Sequence, residues 1–384
     1  MSSDKGRRLR LGMVGGGPGA FIGAVHRAAA RLDDRWELVA GALSSTPEKS
    51  LSCAKELHIP RAYSSFEEMA RAEAKHPERI DAVAIVTPNH MHYAVAKAFL
   101  DAGIHVMCDK PLTTTVDDAV KLTKHVEQSG LLFGLTHTYS GYPMVRQMRE
   151  MVVGGEIGPV RMVQVEYAQG WLATPLENTG AKQAEWRTDP ARSGPGGCLG
   201  DIATHAYHLV RFTTDLKPLE LSADLTTFVP GRRLDDNVQA LLRFEGGAKA
   251  SLWSSQIAIG EENNLNIRIY GQKGSLAWSQ ENPNYVRQSK LNEPDRTLTR
   301  GGPGNGTIAT RSTRLPTGHP EGYFEAFGQL YKDFAELVAA RTEGRAPDPL
   351  ATLLPNCEDG LAGVQFIDAV LRSSSNASAW TPLS

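Results

Sequence analysis

Three titratable side chains occupy positions where a chain leaving its core would need only a turn. In MCDKPL (107–112) the apolar run GIHVMC ends on Asp109 and Lys110 and is followed at once by Pro111. In GDIATHAYHL (200–209) Asp201 and His205 stand at i and i+4, so both lie on one face if Asp201 begins a helix, and His208 falls on the same broad stripe. An imidazole of ordinary pKa, about 6.5, can take a proton near neutrality, and an ammonium can hold a developing alkoxide. Each residue also has a plain reading: Lys110 as a surface lysine paired with Asp109, Asp201 as a helix cap, His205 as a core histidine. The approach WRTDPARSGPGGCLGD is glycine-rich and pins the helix start. Lys110, Asp201 and His205 are therefore expected to face one crevice from two lobes.

The elements that must carry them follow from the hydrophobic rhythm. LRLGMV (9–14), WELVAGAL (36–43), DAVAIV (81–86), IHVMC (104–108) and LLFGLT (131–136) are short apolar runs typical of parallel strands buried on both faces, and helical stretches such as HYAVAKAFLDAG separate them. This predicts a doubly wound parallel sheet over residues 1–138. From 139 to 384 the pattern changes to a helix near 142–153 and then strand patterns joined by turn signals, hence an α/β domain with a large, mostly antiparallel open sheet. Residues 281–320, rich in Gly, Pro, Asn and Arg, read as a long loop. The helices after it, EAFGQLYKDFAELVAA and the stretch near 357–372, are expected to pack back toward the first domain.

The length of 384 residues supports two domains, because single cores stop growing at roughly 250–300 residues. A net charge of −2 gives no bulk attraction to nucleic acid or anionic membrane, and no run approaches the roughly 20 apolar residues of a spanning helix. The four cysteines, Cys53, Cys108, Cys198 and Cys357, have no metal-type spacing, so buried thiols in a reducing compartment and no metal are expected. Arg7 and Arg8 precede only a short apolar run that enters a glycine turn, which is not a signal region, and a cytoplasmic location is expected.

That turn, VGGGPGAFIG (14–23), sits between strand and helix, where glycines let the backbone approach a pyrophosphate and the helix amino terminus meets its charge. The spacing Gly15-x-Gly17-x5-Gly23 is wider than GxGxxG by three residues. Gly15, Gly17, Phe21 and Ile22 are the expected cofactor contacts. The second strand ends in GALSSTPE, with Ser44 where an acid for the adenosine ribose might sit. No basic pair replaces that acid, which favours NAD and leaves NADP as the alternative. Thr87, Pro88, Asn89 and His92 in TPNHMHY end a strand at the same edge, with helix capping as the plain reading of Asn89 and ordinary packing that of the histidines.

The order of glycine turn, TPNHxH, [DE]KP and GDIxTHxxH resembles the Gfo/Idh/MocA family of oxidoreductases over nearly the whole chain. The resemblance implies an amino-terminal Rossmann domain, a second α/β domain whose open sheet forms a homo-oligomer, dimer or tetramer, and a catalytic group of Lys110, Asp201 and His205. The physical reading agrees: His205 as base for a hydroxyl proton, Lys110 as polariser of the alkoxide, Asp201 orienting a substrate hydroxyl. The wide glycine turn, the absent ribose acid and His208 in place of an acid depart from the family pattern. Asp109, Lys110, Trp186 and Arg187 are added to the expected cofactor contacts. Tyr139, Tyr142, Lys182, His208, His319 and Tyr323 join Lys110, Asp201 and His205 as expected substrate contacts, since aromatic and multi-donor groups suit a ring of hydroxyls. The expected activity is NAD(P)-dependent hydride transfer at a secondary hydroxyl of a sugar, glycoside or inositol. The alternative is an NAD-dependent glycosidase that oxidises transiently, eliminates, adds water and re-reduces. The cationic loop 171–194, with Lys182, Arg187 and Arg192, would suit an anionic glycoside.

Overall fold

The computed structural model describes residues 7–383, which separate into two compact units. The first takes the residues up to Thr138 and, after a long excursion, Tyr323–Leu361; the second takes Tyr139–Gly322 and the residues from Ala362 on.

The first unit is a six-stranded, wholly parallel sheet of β1 (Leu9–Gly15), β2 (Trp36–Ala42), β3 (Arg61–Ala62), β4 (Ala82–Val86), β5 (His105–Cys108) and β6 (Phe133–Leu135), in the order β3-β2-β1-β4-β5-β6. β4, AVAIV, is buried at every residue, as a central strand covered on both faces must be. Helix Val116–Ser129 shows how locally these crossovers are encoded: Thr115 accepts from the Asp118 N–H at its start, and Gly130 ends it at φ 63°. One face of the sheet buries Leu11, Met13, Ala82, Ala84 and Met107 against Phe327, Leu330, Tyr331 and Phe334 of helix Tyr323–Glu343. The order reverses between β1 and β4, and the carboxyl ends of these strands are where such a sheet takes its ligand.

The second unit is a nine-stranded sheet of β7 (Val160–Ala168), β8 (Pro218–Thr226), β9 (Asn237–Phe244), β10 (Lys249–Ser255), β11 (Asn264–Gly271), β12 (Gly274–Ser279), β13 (Tyr285–Lys290), β14 (Arg296–Thr299) and β15 (Thr381–Pro382). Its order is β14-β13-β12-β11-β7-β10-β9-β8-β15, and only the β7–β10 pair is parallel among the described strands. Alternation is clean on β9, where Val238, Ala240, Leu242 and Phe244 point inward while Gln239, Leu241 and Arg243 face out. Helices Pro143–Val153 and Thr204–Thr214 pack on the inner side. The other face is open, with a groove of about 440 Å³ lined by residues including Gln164, Glu166, Leu241, Trp253 and Arg268.

The stretch 281–320 is not the long loop its composition predicts. It contains β13, β14 and helix Thr307–Ser312. YVRQSK carries one aliphatic residue, too weak an alternation to announce a strand; pairing with β12, Leu276 opposite Gln288, makes it one. The remainder is pinned by a buried ion pair, Arg300 Nη1 to Glu321 Oε1 at 2.8 Å, both side chains 2 % exposed.

Candidate active site

The cofactor cradle is built by backbone. β1 ends at Gly15, and Gly15, Gly16 and Gly19 have φ of 77°, 65° and 82°, values costly for any residue with a Cβ. A Cβ on Gly23 would lie 2.2 Å from the Gly16 carbonyl oxygen, so Gly23 supplies the close helix–strand contact despite the three-residue insertion. A Cβ on Gly17 would lie 2.8 Å from the Leu43 oxygen. Helix Phe21–Leu32 starts with no side-chain cap, leaving its first N–H groups for an anion. A turn held to glycine by positive φ and by close backbone approach, feeding such a helix start, fits a dinucleotide pyrophosphate. Phe21 is exposed beside it, whereas Ile22 packs against the hydrophobic core and is support rather than contact. Ser44 follows β2 half-buried.

Around Lys110 the structure explains the motif. Asp109, at the end of β5, accepts from Thr136 Oγ1 and contacts His26 Nε2 at 3.2 Å; His26 Nδ1 lies 2.7 Å from the Tyr331 hydroxyl. Burial opposes the charged carboxylate, but His26 and Thr136 outweigh it and hold Asp109 below its ordinary value. The Lys110–Pro111 peptide is cis. The His92 ring bridges the Pro111 oxygen (Nδ1, 2.7 Å) and the Thr87 oxygen (Nε2, 3.0 Å) and is fully buried. His92 is therefore a strut between the ends of β4 and β5, with neither nitrogen turned to a ligand, and not the cofactor contact its motif suggests. Asn89 is buried in the short turn Asn89–Met91 that precedes helix His92–Asp101.

Asp109→Asn is expected to cost about 1–3 kcal/mol at neutral pH, the range for losing hydrogen bonds to a charged group that is largely but not fully out of water. Because the folded-state carboxyl sits below the ordinary 3.8, that contribution is complete above 3.8 and fades as the pH falls through the folded-state value. Denaturant unfolding of both proteins, at neutral pH and again in acid, should show the difference shrink in acid.

In the second unit Asp201 does not begin the helix. It lies inside a π turn, Leu199–Ala203, that opens helix Thr204–Thr214, a widening frequent at functional sites. Its Oδ2 accepts from Arg187 Nε (3.2 Å) and Gln256 Nε2 (2.9 Å). The Arg187 guanidinium is centred 4.3 Å from the Trp186 ring and 6.0 Å from Trp171, so the cation and both aromatics of the 171–194 loop serve Asp201. The His205 ring meets Tyr139 edge-on at 4.9 Å and Tyr167 at 6.4 Å. The Tyr139 and Tyr167 hydroxyls bond to each other, and Tyr167 donates to Asn263 Oδ1 at 2.7 Å.

Several expected substrate contacts are structural. Tyr139 and Tyr142 are 4 % and 1 % exposed and stacked 6.2 Å apart, a wall behind His205 rather than donors to a ring of hydroxyls; burial pushes the Tyr139 hydroxyl well above its ordinary pKa. His208 is buried against Phe212, and burial, with Arg211 and Arg149 nearby, pushes it down to about 3, so it is a neutral core histidine. Tyr323 belongs to the first unit, packed on Phe327, while His319 is exposed in the second. Lys182 is exposed at the first residue of helix Lys182–Arg187. Lys110 is in the first unit, Asp201 and His205 in the second. Sequence reasoning missed His26, Tyr331, Tyr167, Gln256 and Asn263. The only local signal among them is His26, a polar residue on the apolar stripe of AVHRAAARL.

Residues 9–137 match the oxidoreductase family model with an NAD-binding Rossmann fold, and residues 145–277 match the GFO/IDH/MocA C-terminal domain. A crystal structure of an oxidoreductase from Sinorhizobium meliloti is 52% identical, with TM-score 0.89 over 98% of this chain and 99% of that one. An inositol dehydrogenase homolog from Azotobacter vinelandii, crystallised with NAD+, is 33% identical, with TM-score 0.93 over 99% of both chains. Levoglucosan dehydrogenase of Pseudarthrobacter phenanthrenivorans is 25% identical over 97% of both chains.

Proposed function

Since the chain belongs to the Gfo/Idh/MocA family of oxidoreductases and carries its NAD-binding Rossmann domain, we propose that it oxidises a secondary hydroxyl of a neutral cyclic polyol, a sugar, anhydrosugar or inositol. Bound NAD+ supplies the hydride acceptor. His205 takes the hydroxyl proton, Lys110 holds the oxygen while its negative charge develops, and Asp201 orients a neighbouring hydroxyl. The carbon–hydrogen bond breaks as the carbonyl forms, and no group leaves the ring. The observation that carries the reading is the state of Asp201 and His205: a carboxylate fixed by Arg187 and Gln256, and one helical turn on, an imidazole backed by an aromatic wall. Because Arg187 is spent on Asp201, the loop has one cation fewer for a substrate anion, which supports a neutral ligand. The inositol dehydrogenase homolog and the levoglucosan dehydrogenase point to the same class.

The outer face of the nine-stranded sheet carries exposed Met162, Leu241 and Tyr270 among polar side chains, and we assign it to a second copy of the chain, giving a dimer or tetramer.

The test is incubation with NAD+ or NADP+ and a panel of myo-inositol, levoglucosan, free aldoses and neutral and anionic chromogenic glycosides. One NADH per substrate consumed, with ring and glycosidic bonds intact, is the expected result. Aglycone release with catalytic NAD+ and no net NADH would replace oxidation by glycoside cleavage. No NADH from any neutral polyol would refute the reading.

A further inference from the structure

The glycine-rich run before the proposed catalytic turn is held by a single residue from another part of the chain. Gly197 N–H donates to Asp235 Oδ1 at 2.6 Å, Cys198 N–H to the Asp235 carbonyl oxygen at 3.0 Å, and Leu199 N–H to Asp235 Oδ2 at 2.6 Å. Three consecutive backbone donors thus end on Asp235, which is 6 % exposed. The approach is close enough to demand a glycine: a Cβ on Gly197 would lie 2.3 Å from that same carbonyl oxygen. Asp201 N–H in turn bonds the Gly197 oxygen, so the clamped residues are the first turn of the segment that bears Asp201.

The next residue works on the same site by another route. Asp236 is fully buried, and its carboxylate accepts from Phe228 N, Val229 N and Arg232 Nη1. Its carbonyl oxygen accepts from Gln256 N at 2.9 Å, and the Gln256 side chain is the one that donates to Asp201. Arg232 also grips Glu177 and the carbonyls of Leu172 and Thr174. A short segment, 232–236, therefore fixes the start of the 171–194 loop, the backbone entering the π turn and the amide that holds Asp201. Two adjacent carboxylates are costly to bury, and ordering this turn is the return that the structure offers for it.

We propose that Asp235 is a positioning residue for the proposed Asp201–His205 pair: its carboxylate and carbonyl set the backbone at 197–199 and through it the direction of both side chains. The inference rests on the functional reading above. Asp235→Asn keeps the volume but puts an amide N–H₂ against a backbone N–H. Gly197→Ala strains the same contact from the other side and leaves the carboxylate in place. Both are expected to lower kcat by about 10²-fold, the scale of a 1 Å misplacement, with substrate KM changed far less and NADH affinity within a few fold. Both should also speed hydrogen exchange of the amides from 197 to 205.

The probes are NADH fluorescence titration, steady-state turnover of whichever panel polyol the unaltered protein oxidises, and residue-resolved exchange. Faster exchange with kcat retained within twofold overturns the proposal. So does unchanged exchange from 197 to 205 in Asp235→Asn. If the unaltered protein oxidises nothing on the panel, the functional reading falls by itself, and the exchange measurement still decides whether Asp235 orders the turn.

Discussion

His205→Ala and Lys110→Ala are each expected to lower kcat by about 10²–10⁴-fold, the range that one positioned proton acceptor or charge stabiliser supplies. NADH affinity should stay within a few fold, because neither side chain belongs to the glycine cradle. The loss should fall on kcat and kcat/KM together, as for interactions made mainly in the transition state. For His205 the aromatic wall of Tyr139 and Tyr167 is packed from its far side by Tyr142 and by Asn263, so truncation leaves the wall standing and the effect local. Steady-state kinetics on the best panel substrate, with fluorescence titration of NADH, checks both variants. Turnover within tenfold of the unaltered protein in either one would remove that residue from the chemistry.

The second large effect is expected at Gly23. Its Cα hydrogen faces the Gly16 main chain, where a Cβ would meet the Gly16 oxygen at 2.2 Å, Cα at 2.5 Å and carbonyl carbon at 2.6 Å. All three are backbone atoms with no rotamer to escape into. Gly23→Val must push helix Phe21–Leu32 off the end of β1, opening the cradle; overpacking of this kind costs about 1–3 kcal/mol and here also misdirects the helix N–H groups. NADH binding should be lost by fluorescence titration and the thermal midpoint should fall. Binding at unaltered affinity would mean that the dinucleotide does not lie on this turn.

Much of the fold was legible because its signals are short-range. Strands such as AVAIV announce themselves by unbroken burial, and the turn at 14–23 by glycines between a strand and a helix. The wide spacing looked like a defect in the cofactor motif, yet Gly23 makes the close approach to the Gly16 main chain, and the residues before it turn back through the Ala20 N–H bond to the Gly17 oxygen. β13 was illegible because its pattern depends on β12 for meaning. At the site, residue types were readable and environments were not. His26 and Tyr331 are 305 positions apart, and nothing in either neighbourhood points to the other. Tyr139 and His208 carry side chains suited to binding, but their burial is decided by Tyr142, Tyr167 and Phe212, which only packing brings to them. Arg187 looked like a receptor for an anion; the anion it serves is Asp201.

The interrupted first unit has a consequence for biosynthesis. Phe327, Leu330, Tyr331 and Phe334 are part of the core that β1, β4 and β5 bury, and the Tyr331 hydroxyl and its main-chain oxygen are taken by His26 and by the Trp36 indole N–H. On a ribosome, all six parallel strands emerge before that helix exists, while an apolar sheet face waits through the synthesis of some 180 further residues. Synthesis at about 5–20 residues per second makes that wait roughly 10–40 seconds. A chain that ended before Tyr323 would therefore lack the apolar side chains that close its own nucleotide-binding domain.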